Sequence, residues 1–244
     1  MRTHPIFVGC TGWSIPRPYA DRFPGSGTLL ERYARLFPAV EIASSFYRSH
    51  RPQTYTRWAE LTPPAFRFAV KVPRLVTHFE RLRNPAPLTR FHQETAALGA
   101  KLGPWLVQLP PSLRFEAGVA ADFFTALRQE FDGDVVCEPR HPTWFTAEAE
   151  ALLRRFRIAR VTTDPVYGPG GDRPGGWPEP VYIRLHGSPE LYASAYDDAF
   201  LADLAARLRT YAQTATVWCF FNNTALGHAI ANALTVLGYL GWKW

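Results

Sequence analysis

Residues 135–145 read "VVCEPRHPTWF": Val135, Val136 and Cys137 run directly into Glu138, Arg140 and His141, with prolines at 139 and 142. A short apolar run rich in β-branched residues and bounded by proline has the composition of a strand buried on both faces. That is the condition of a parallel strand covered by helices. Its exit brings an acid, a guanidinium and an imidazole together within four residues. Such an exit is either an ordinary polar strand end or one wall of a site, and the rest of the chain decides which.

The pattern repeats. Strand-like runs also occur at "IFVGCTG" from Ile6, "AVEIASSFY" from Ala39, "RFAVKVP" from Arg67, "WLVQLP" from Trp105, "ARVTTD" from Ala159, "VYIRLHG" from Val181 and "TVWCFFNN" from Thr216, making eight in all. Helical spacing fills several of the gaps, over 29–37, 52–61, 87–103, 197–212 and 224–238. The third of these places Leu88, Phe91, Thr95 and Leu98 on one face, with Gly103-Pro104 as its stop. The fourth aligns Leu201, Leu204, Leu208 and Tyr211 behind an Asp197 or Asp198 cap. Alternating strand and helix implies a parallel sheet. Eight such units in a chain of 244 residues fit an α/β fold of the (β/α)8, or TIM, barrel type, as one domain over 1–244. An open doubly wound sheet would want a glycine-rich first turn, and "GCTGWSIPRPY" lacks that spacing. Residues 165–180, "PVYGPGGDRPGGWPEP", are too rich in glycine and proline for a helix interior, so the sixth connection is expected to be an irregular loop over the carboxyl-end face.

Composition sets limits on the function. The chain carries 27 Lys and Arg against 21 acids, a formal charge of +6, mostly from Arg. That balance tolerates an anionic ligand without proving one. Cys10, Cys137 and Cys219 lie inside apolar runs, an odd count that argues against a disulfide framework and for a reducing compartment. No segment has the length of a membrane span, and the first strand follows too soon for a signal peptide. A cytoplasmic protein is expected.

In a barrel of this type the site is built at the carboxyl ends of the strands. Read there, the sequence offers Trp13, Glu41, Tyr47, Lys71, Gln108, Glu138, Arg140, His141, Asp164, Arg184, His186, Asn222 and Asn223. Each alone has an ordinary explanation: a solvated tip, a rim aromatic, or a mutually neutralising pair such as Glu138 with Arg140. Together they concentrate ionisable groups as sites do. His78, His141 and His186 follow the third, fifth and seventh strands, so convergence with Glu41, Glu138 and Asp164 on a divalent metal is a lesser alternative. No metal-ligand spacing supports it. Trp13, Tyr19, Tyr47, Trp144 and Tyr192 follow strands and serve either as rim packing or as stacking platforms.

The motifs "VGCTGWS", "FPAVEIASSFYR", "FRFAVKVPRLVTH", "LGPWLVQLPPS", "CEPRHPTWF", "YIRLHG" and "FFNNTALGHAIANA" together resemble the YecE-like family, the domain of unknown function numbered seventy-two. The resemblance runs from Gly9 to Ala233. It implies a TIM barrel in an intracellular bacterial or archaeal protein and supplies no established reaction. The site it implies is Trp13, Glu41, Tyr47, Lys71, His78, Gln108, Glu138, Arg140, His141, Trp144, Arg184, His186, Asn222 and Asn223. Ala43, Ser45 and Thr224 stand where the family usually has asparagine, threonine and histidine. Similarity of the family's barrels to endonuclease-IV-like and sugar-isomerase barrels suggests phosphate or nucleic-acid ligands by fold analogy.

Two functions are carried forward, with no cofactor specified. The first is a binder of an anionic small molecule or nucleic acid, held within reach of Arg184 and Lys71. The second is a metal-assisted or general acid/base hydrolase of phosphoesters or sugar phosphates, with Glu41 or Glu138 as base and Lys71 and His186 as acid or electrophile. The sequence also predicts that Lys71, Glu138, Arg140, Arg184, His186 and Asn222 line one concave pocket.

Overall fold

The computed structural model describes residues 3–242. Its strands are β1 (Ile6–Cys10), β2 (Ala39–Ile42), β3 (Arg67–Lys71), β4 (Leu102–Gln108), β5 (Val135–Glu138), β6 (Ile158–Arg160), β7 (Thr162–Asp164), β8 (Gly175–Gly176), β9 (Val181–Leu185) and β10 (Val217–Phe221). The α-helices are α1 (Leu29–Ala34), α2 (Pro52–Glu60), α3 (Pro87–Thr95), α4 (Ala117–Glu130), α5 (Ala147–Arg155), α6 (Asp198–Tyr211) and α7 (His228–Tyr239). The fold is mixed α/β, with one sheet ordered β2-β3-β4-β5-β6-β8 and another ordered β1-β10-β9-β7. Every ladder is parallel except that of β8 on β6. The two sheets meet twice. A parallel bridge joins Thr11 to Glu41 just beyond β1, and β6 leads into β7 with only Val161 between them.

The expected sixth strand is divided because its ladder partner changes along its length. Its first half pairs with β5 and β8, and its second half pairs with β9. Residues 165–180 contain no helix, as their composition requires, but they are not wholly irregular, since Gly175–Gly176 returns to pair antiparallel with β6. Gly176 has φ +65°, and a Cβ there would lie 2.5 Å from the Ile158 carbonyl oxygen, so only glycine fits this approach. The helices depart from expectation in two places. Helix α3 ends at Thr95, a 3-10 turn follows over Ala96–Lys101, and Gly103 and Pro104 lie inside β4 rather than acting as a stop. Proline is tolerated there because the register of β4 against β3 shifts between the Phe68–Leu102 and Val70–Trp105 pairs, an irregularity that demands no ladder donor at 104. Helices α4 and α5 fill the fourth and fifth connections, which the alternating fold implies as helical but for which no range is read from the sequence, although Ala120, Phe123, Phe124 and Leu127 have helical spacing and Thr146 caps α5 through Ala149 N. Helix α4 has no side-chain cap at Glu116, which removes the usual starting signal.

The strands separate their side chains by parity, as a period of two requires. Val40, Ile42, Phe68, Val70, Trp105, Val107, Ile183 and Cys219 belong to the large cluster that also holds the helices. The other face packs only on itself: Ala39, Ala69, Leu106, Val136, Ala159, Val161, Tyr182, Trp218 and Phe220, with Phe7 against them. Small residues on β2 and β3 thus share one buried cluster with large ones on β9 and β10. All three cysteines are buried and free.

Close approach of β1 to β2 rests on Gly9, where a Cβ would lie 2.1 Å from the Ala39 carbonyl oxygen. Tyr33 of α1 seals the same seam, accepting from Cys10 N at 2.8 Å and donating to the Ala39 carbonyl at 3.0 Å. Gly9→Ala must push the strands apart, at a cost of about 1–3 kcal/mol. Thermal unfolding of the variant is expected to begin several degrees below wild type. An unchanged transition would show that β1 can shift without loss.

Candidate functional site

Continuing the inward parity of each strand by one step replaces the apolar floor with a polar layer. Thr11, Glu41, Lys71, Gln108, Glu138, Thr163, Arg184, His186 and Asn222 follow Gly9, Ala39, Ala69, Leu106, Val136, Val161, Tyr182, Arg184 and Phe220 at spacings of two. The alternation that hides Val70 against the helices is what turns Lys71 inward.

At the centre is Arg184, of which 1% is exposed, clamped by two carboxylates that are fully buried. Its Nε donates to Glu41 Oε2 at 2.9 Å and its Nη2 to Glu41 Oε1 at 2.8 Å, a bidentate pair. Its Nη1 donates to Glu138 Oε2. Glu41 also accepts from Tyr182 Oη at 2.7 Å and from Thr11 Oγ1 at 3.1 Å. The second oxygen of Glu138 accepts from Arg140 Nε at 2.7 Å. Burial alone would raise the Glu138 pKa, but the guanidinium groups of Arg184 and Arg140, with His186 adding to them, hold it well below the usual carboxylate range. Burial likewise opposes the Arg184 charge, and Glu138 and Glu41 outweigh it.

His186 lies on the same carboxylate, with Nε2 3.4 Å from Glu138 Oε1. Its Nδ1 faces the Asn222 amide nitrogen at 3.0 Å. An amide N–H only donates, so Nδ1 accepts and the proton sits on Nε2. Burial keeps this imidazole neutral by pushing its pKa down, against the pull of Glu138. Gln108 donates to the Leu109 carbonyl at 2.6 Å, and its strand register places it beside Glu138.

Lys71 differs from its neighbours. Among the described residues its Nζ has no hydrogen bond and no ion pair, and it sits 3.7 Å above the Phe46 ring centroid. Burial, and then the charge of Arg184, push its pKa down to about 7, against the opposing pull of Glu138 and Glu41. Its carbonyl accepts a 2.6 Å hydrogen bond from Ser45 Oγ, which ties β3 to the turn after β2. Ser45 therefore supports this corner in the place where the family usually has threonine. His78 stacks edge-on to Phe46, and burial with the charges of Lys71, Arg140 and Arg74 lowers its pKa to about 4.

The six residues expected to line a concave pocket do gather, but as a packed layer. Glu138 and His186 are fully buried, and only Lys71, Arg140 and Asn222 keep a face toward the mouth. Trp144 is buried, with its indole N–H donating to the Leu113 carbonyl at 3.0 Å, so it is core rather than a stacking platform. Asn223 is fully buried and bonds the Ser194 carbonyl and Asn232, which fixes the 194 loop and α7 instead of facing a ligand. His141 turns its Nδ1 to Thr143 at 2.9 Å and caps the next turn. Trp13 is half-buried against Trp58, and Tyr47 stands exposed near Arg74. Asp164 accepts from Tyr196 Oη at 2.7 Å, outside the central cluster. Among the described residues no three His, Cys, Asp or Glu side chains assemble as a metal-ligand group, so the structure offers nothing to the lesser alternative of histidines and acids converging on a metal.

Sequence reasoning missed Tyr182, Thr11, Phe46 and Tyr167. Tyr182 and Thr11 were accessible to the parity rule, since each lies two residues from a residue already named. Tyr192, named only as a possible platform, accepts from Arg140 Nη1 at 3.2 Å and packs edge-on to His186. Tyr167 lies under the Arg140 guanidinium at 5.2 Å from the ring centroid.

A family model described as "Protein of unknown function DUF72" matches residues 7–244. The UPF0759 protein YecE of Escherichia coli strain K12 is 33% identical over 153 residues, which is 62% of this chain and 54% of YecE. The chain therefore spans about half the length of that relative. The UPF0759 protein YunF of Bacillus subtilis strain 168 is 24% identical, covering 96% of this chain and 94% of YunF. A crystal structure of a DUF72 family protein from Thermotoga maritima superposes with a TM-score of 0.81 at 25% identity, over 98% of this chain and all of that one. No helix among the described residues is long and apolar enough to cross a membrane.

Arg184→Met would leave two buried carboxylates without their shared cation, and a loss of about 3–5 kcal/mol is expected in denaturant titrations. Wild-type-like stability would show that water replaces the guanidinium. The acid limb carries a second expectation. Because the folded-state pKa of Glu138 is depressed, its contribution is complete above the ordinary glutamate value, about pH 4–5. It is lost as the pH falls from there toward the folded value. Stability measured from pH 6 downward is therefore expected to fall less steeply in Glu138→Gln than in wild type.

Proposed function

This chain belongs to the DUF72 family, and we propose that it binds a small anionic molecule at the mouth above the polar layer, with Lys71 as the charge that selects it. The observation that carries this reading is a charge count. Glu41 and Glu138 are offset by Arg184 and Arg140, and Lys71 is the cation left without a carboxylate partner among the described residues. Arg184, assigned from sequence to the ligand, serves here as scaffold because three of its nitrogens are already engaged by carboxylates. Nearby cations add to the field: Arg74 lies 5.5 Å from the Tyr47 ring and 5.2 Å from the Phe79 ring, and Arg140 keeps Nη2 without a hydrogen-bond partner among the described residues.

The architecture behind this reading is a single (β/α)8 barrel. Support comes from the Thr11–Glu41 bridge, from the continuity of β6 with β7, and from a strand face that packs only on itself. A small ligand is favoured over nucleic acid because the unpaired charge is recessed, with 8% of Lys71 exposed. Binding is favoured over hydrolysis by a Glu138 base, because that carboxylate accepts from two guanidinium groups and is a weak base in consequence.

Calorimetric titration with sulfate tests the reading, because sulfate keeps its charge across the range. Sulfate is expected to bind at pH 6 and to weaken as the pH rises through about 7, where Lys71 loses its proton. Lys71→Met should weaken binding at pH 6 by about 1.5–3 kcal/mol, the scale of a lost hydrogen bond to a charged group. Equal binding by both proteins would move the anion elsewhere. Binding of a short oligonucleotide but not of sulfate would assign the cations to nucleic acid.

A further inference from the structure

We propose that Lys71 is a nucleophilic amine that forms a reversible imine with small carbonyl compounds, and that anionic 2-oxo acids are its favoured class. The choice of oxo acids rests on the anion-binding reading above; the reactivity of the amine does not. Lysine usage points to the position first. The chain has three lysines, Lys71, Lys101 and Lys243, and uses arginine for every other cation among its 27. Arginine serves this chain wherever a fixed charge is needed, so a lysine facing the polar layer provides what arginine lacks: a nitrogen that can give up its proton and keep a lone pair. Lys101 has no such freedom, since its Nζ is held by the Thr62 carbonyl and hydroxyl and the Ala59 carbonyl.

Geometry supplies the rest. Among the described residues Lys71 Nζ has no hydrogen-bond partner, solvent still reaches it, and the Phe46 ring forms one wall. A desolvated amine beside other cations is the arrangement that activates lysine toward carbonyls. The charged groups acting on it come from around the layer: Glu41 from the adjacent β2, Glu138 and Arg140 from the end of β5, and Arg184 from β9, with His78 following β3. Burial and the two guanidinium groups outweigh the two carboxylates and lower the amine pKa to about 7. Near neutrality about half of it is then unprotonated, against roughly one part in a thousand or less for an ordinary lysine.

The chemistry balances without an oxidant or reductant. The Nζ lone pair forms a bond to the carbonyl carbon while the carbonyl π pair moves to oxygen. One proton passes from nitrogen to that oxygen, giving a carbinolamine. The nitrogen lone pair then forms the C=N bond as the hydroxyl, taking a second proton, leaves as water. Ammonium plus carbonyl compound has become iminium plus water, so the charge at the site is unchanged and an anionic carbonyl compound is still attracted after reaction.

The test is reductive trapping on the full chain. Protein is incubated with glyoxylate or with uncharged glycolaldehyde, each with cyanoborohydride, and the adducts are located by peptide mass spectrometry. The expected result is a predominant adduct on Lys71, formed faster than on any other amine, saturating with glyoxylate and forming at a rate that rises with pH through about 7. Lys71→Arg, checked for native stability by thermal unfolding, should form none at this position and leave slow labelling of Lys101, Lys243 and the α-amine unchanged. Adducts shared among all amines at rates typical of free lysine would overturn the proposal, as would a rate that rises only near pH 10. Sulfate binding without a Lys71 adduct would sink the amine and leave the anion reading intact. Preferential Lys71 labelling by glycolaldehyde as fast as by glyoxylate, with no sulfate binding, would keep the amine and remove the anion.

Discussion

Arg184 joins three strands drawn from both sheets. Its guanidinium, on β9, is shared by a carboxylate from β2 and another from β5, all three within a layer closed to water. The cluster is an expensive choice if stability is the only purpose. Hydrophobic residues of the same volume often serve equally well or better, whereas removing one member of an ionic cluster is strongly destabilising. What the ions provide instead is a floor of fixed charge and oriented donors. Tyr182, Thr11 and Arg140 satisfy the remaining carboxylate positions, so the floor is preorganised and nearly neutral. A single cation left over above a neutral floor exerts a field that nothing beneath it cancels.

The layering that creates this floor was legible in the sequence because it follows from one rule. On strands of known direction, residues two apart share a face, and the apolar-to-polar change along each run marks where the interior ends. That rule points Lys71, Glu138, Arg140, Arg184, His186 and Asn222 to one end of the strands, where they form a packed layer and not an open pocket. It could not reveal which of them neutralise one another. Glu138 and Arg140 are two residues apart and were recognisable as a pair, whereas Glu41 and Arg184 are 143 residues apart. The bidentate match between them depends on strand stagger, which a single sequence does not encode locally. The sequence reading therefore places Arg184 within reach of a ligand, whereas it is the most engaged cation in the layer.

The other departures have local causes. Trp144 closes the short 3-10 turn Pro142–Trp144 after β5, and Asn223 stands two residues beyond β10, places where a side chain can turn toward the mouth or back toward a helix. A carbonyl at Leu113 and an amide at Asn232 take them back. Helix α4 begins without a capping side chain, so its start has no marker although its apolar spacing is regular. The division of the sixth strand comes from Gly175–Gly176 occupying part of its edge, a contact that the turn-rich composition of that segment conceals.

The arrangement around Lys71 also constrains how an anionic carbonyl compound must lie. An anion placed directly on Nζ would stabilise the ammonium and remove the lone pair that attack requires. Arg140 resolves this conflict. Its Nε and Nη1 are spent on Glu138 and Tyr192, which fixes the plane of the guanidinium, and its Nη2 is without a hydrogen-bond partner among the described residues. On the imine proposal, a carboxylate received at Nη2 instead of at Nζ would leave the amine its lone pair. Phe46 bars hydrogen bonding on one side of Nζ and so leaves the lone pair no competing donor there. The same geometry disfavours a ligand whose charge and reactive carbon are the same group, such as a simple carboxylic acid. An acid separated from its carbonyl by one bond meets both requirements at once.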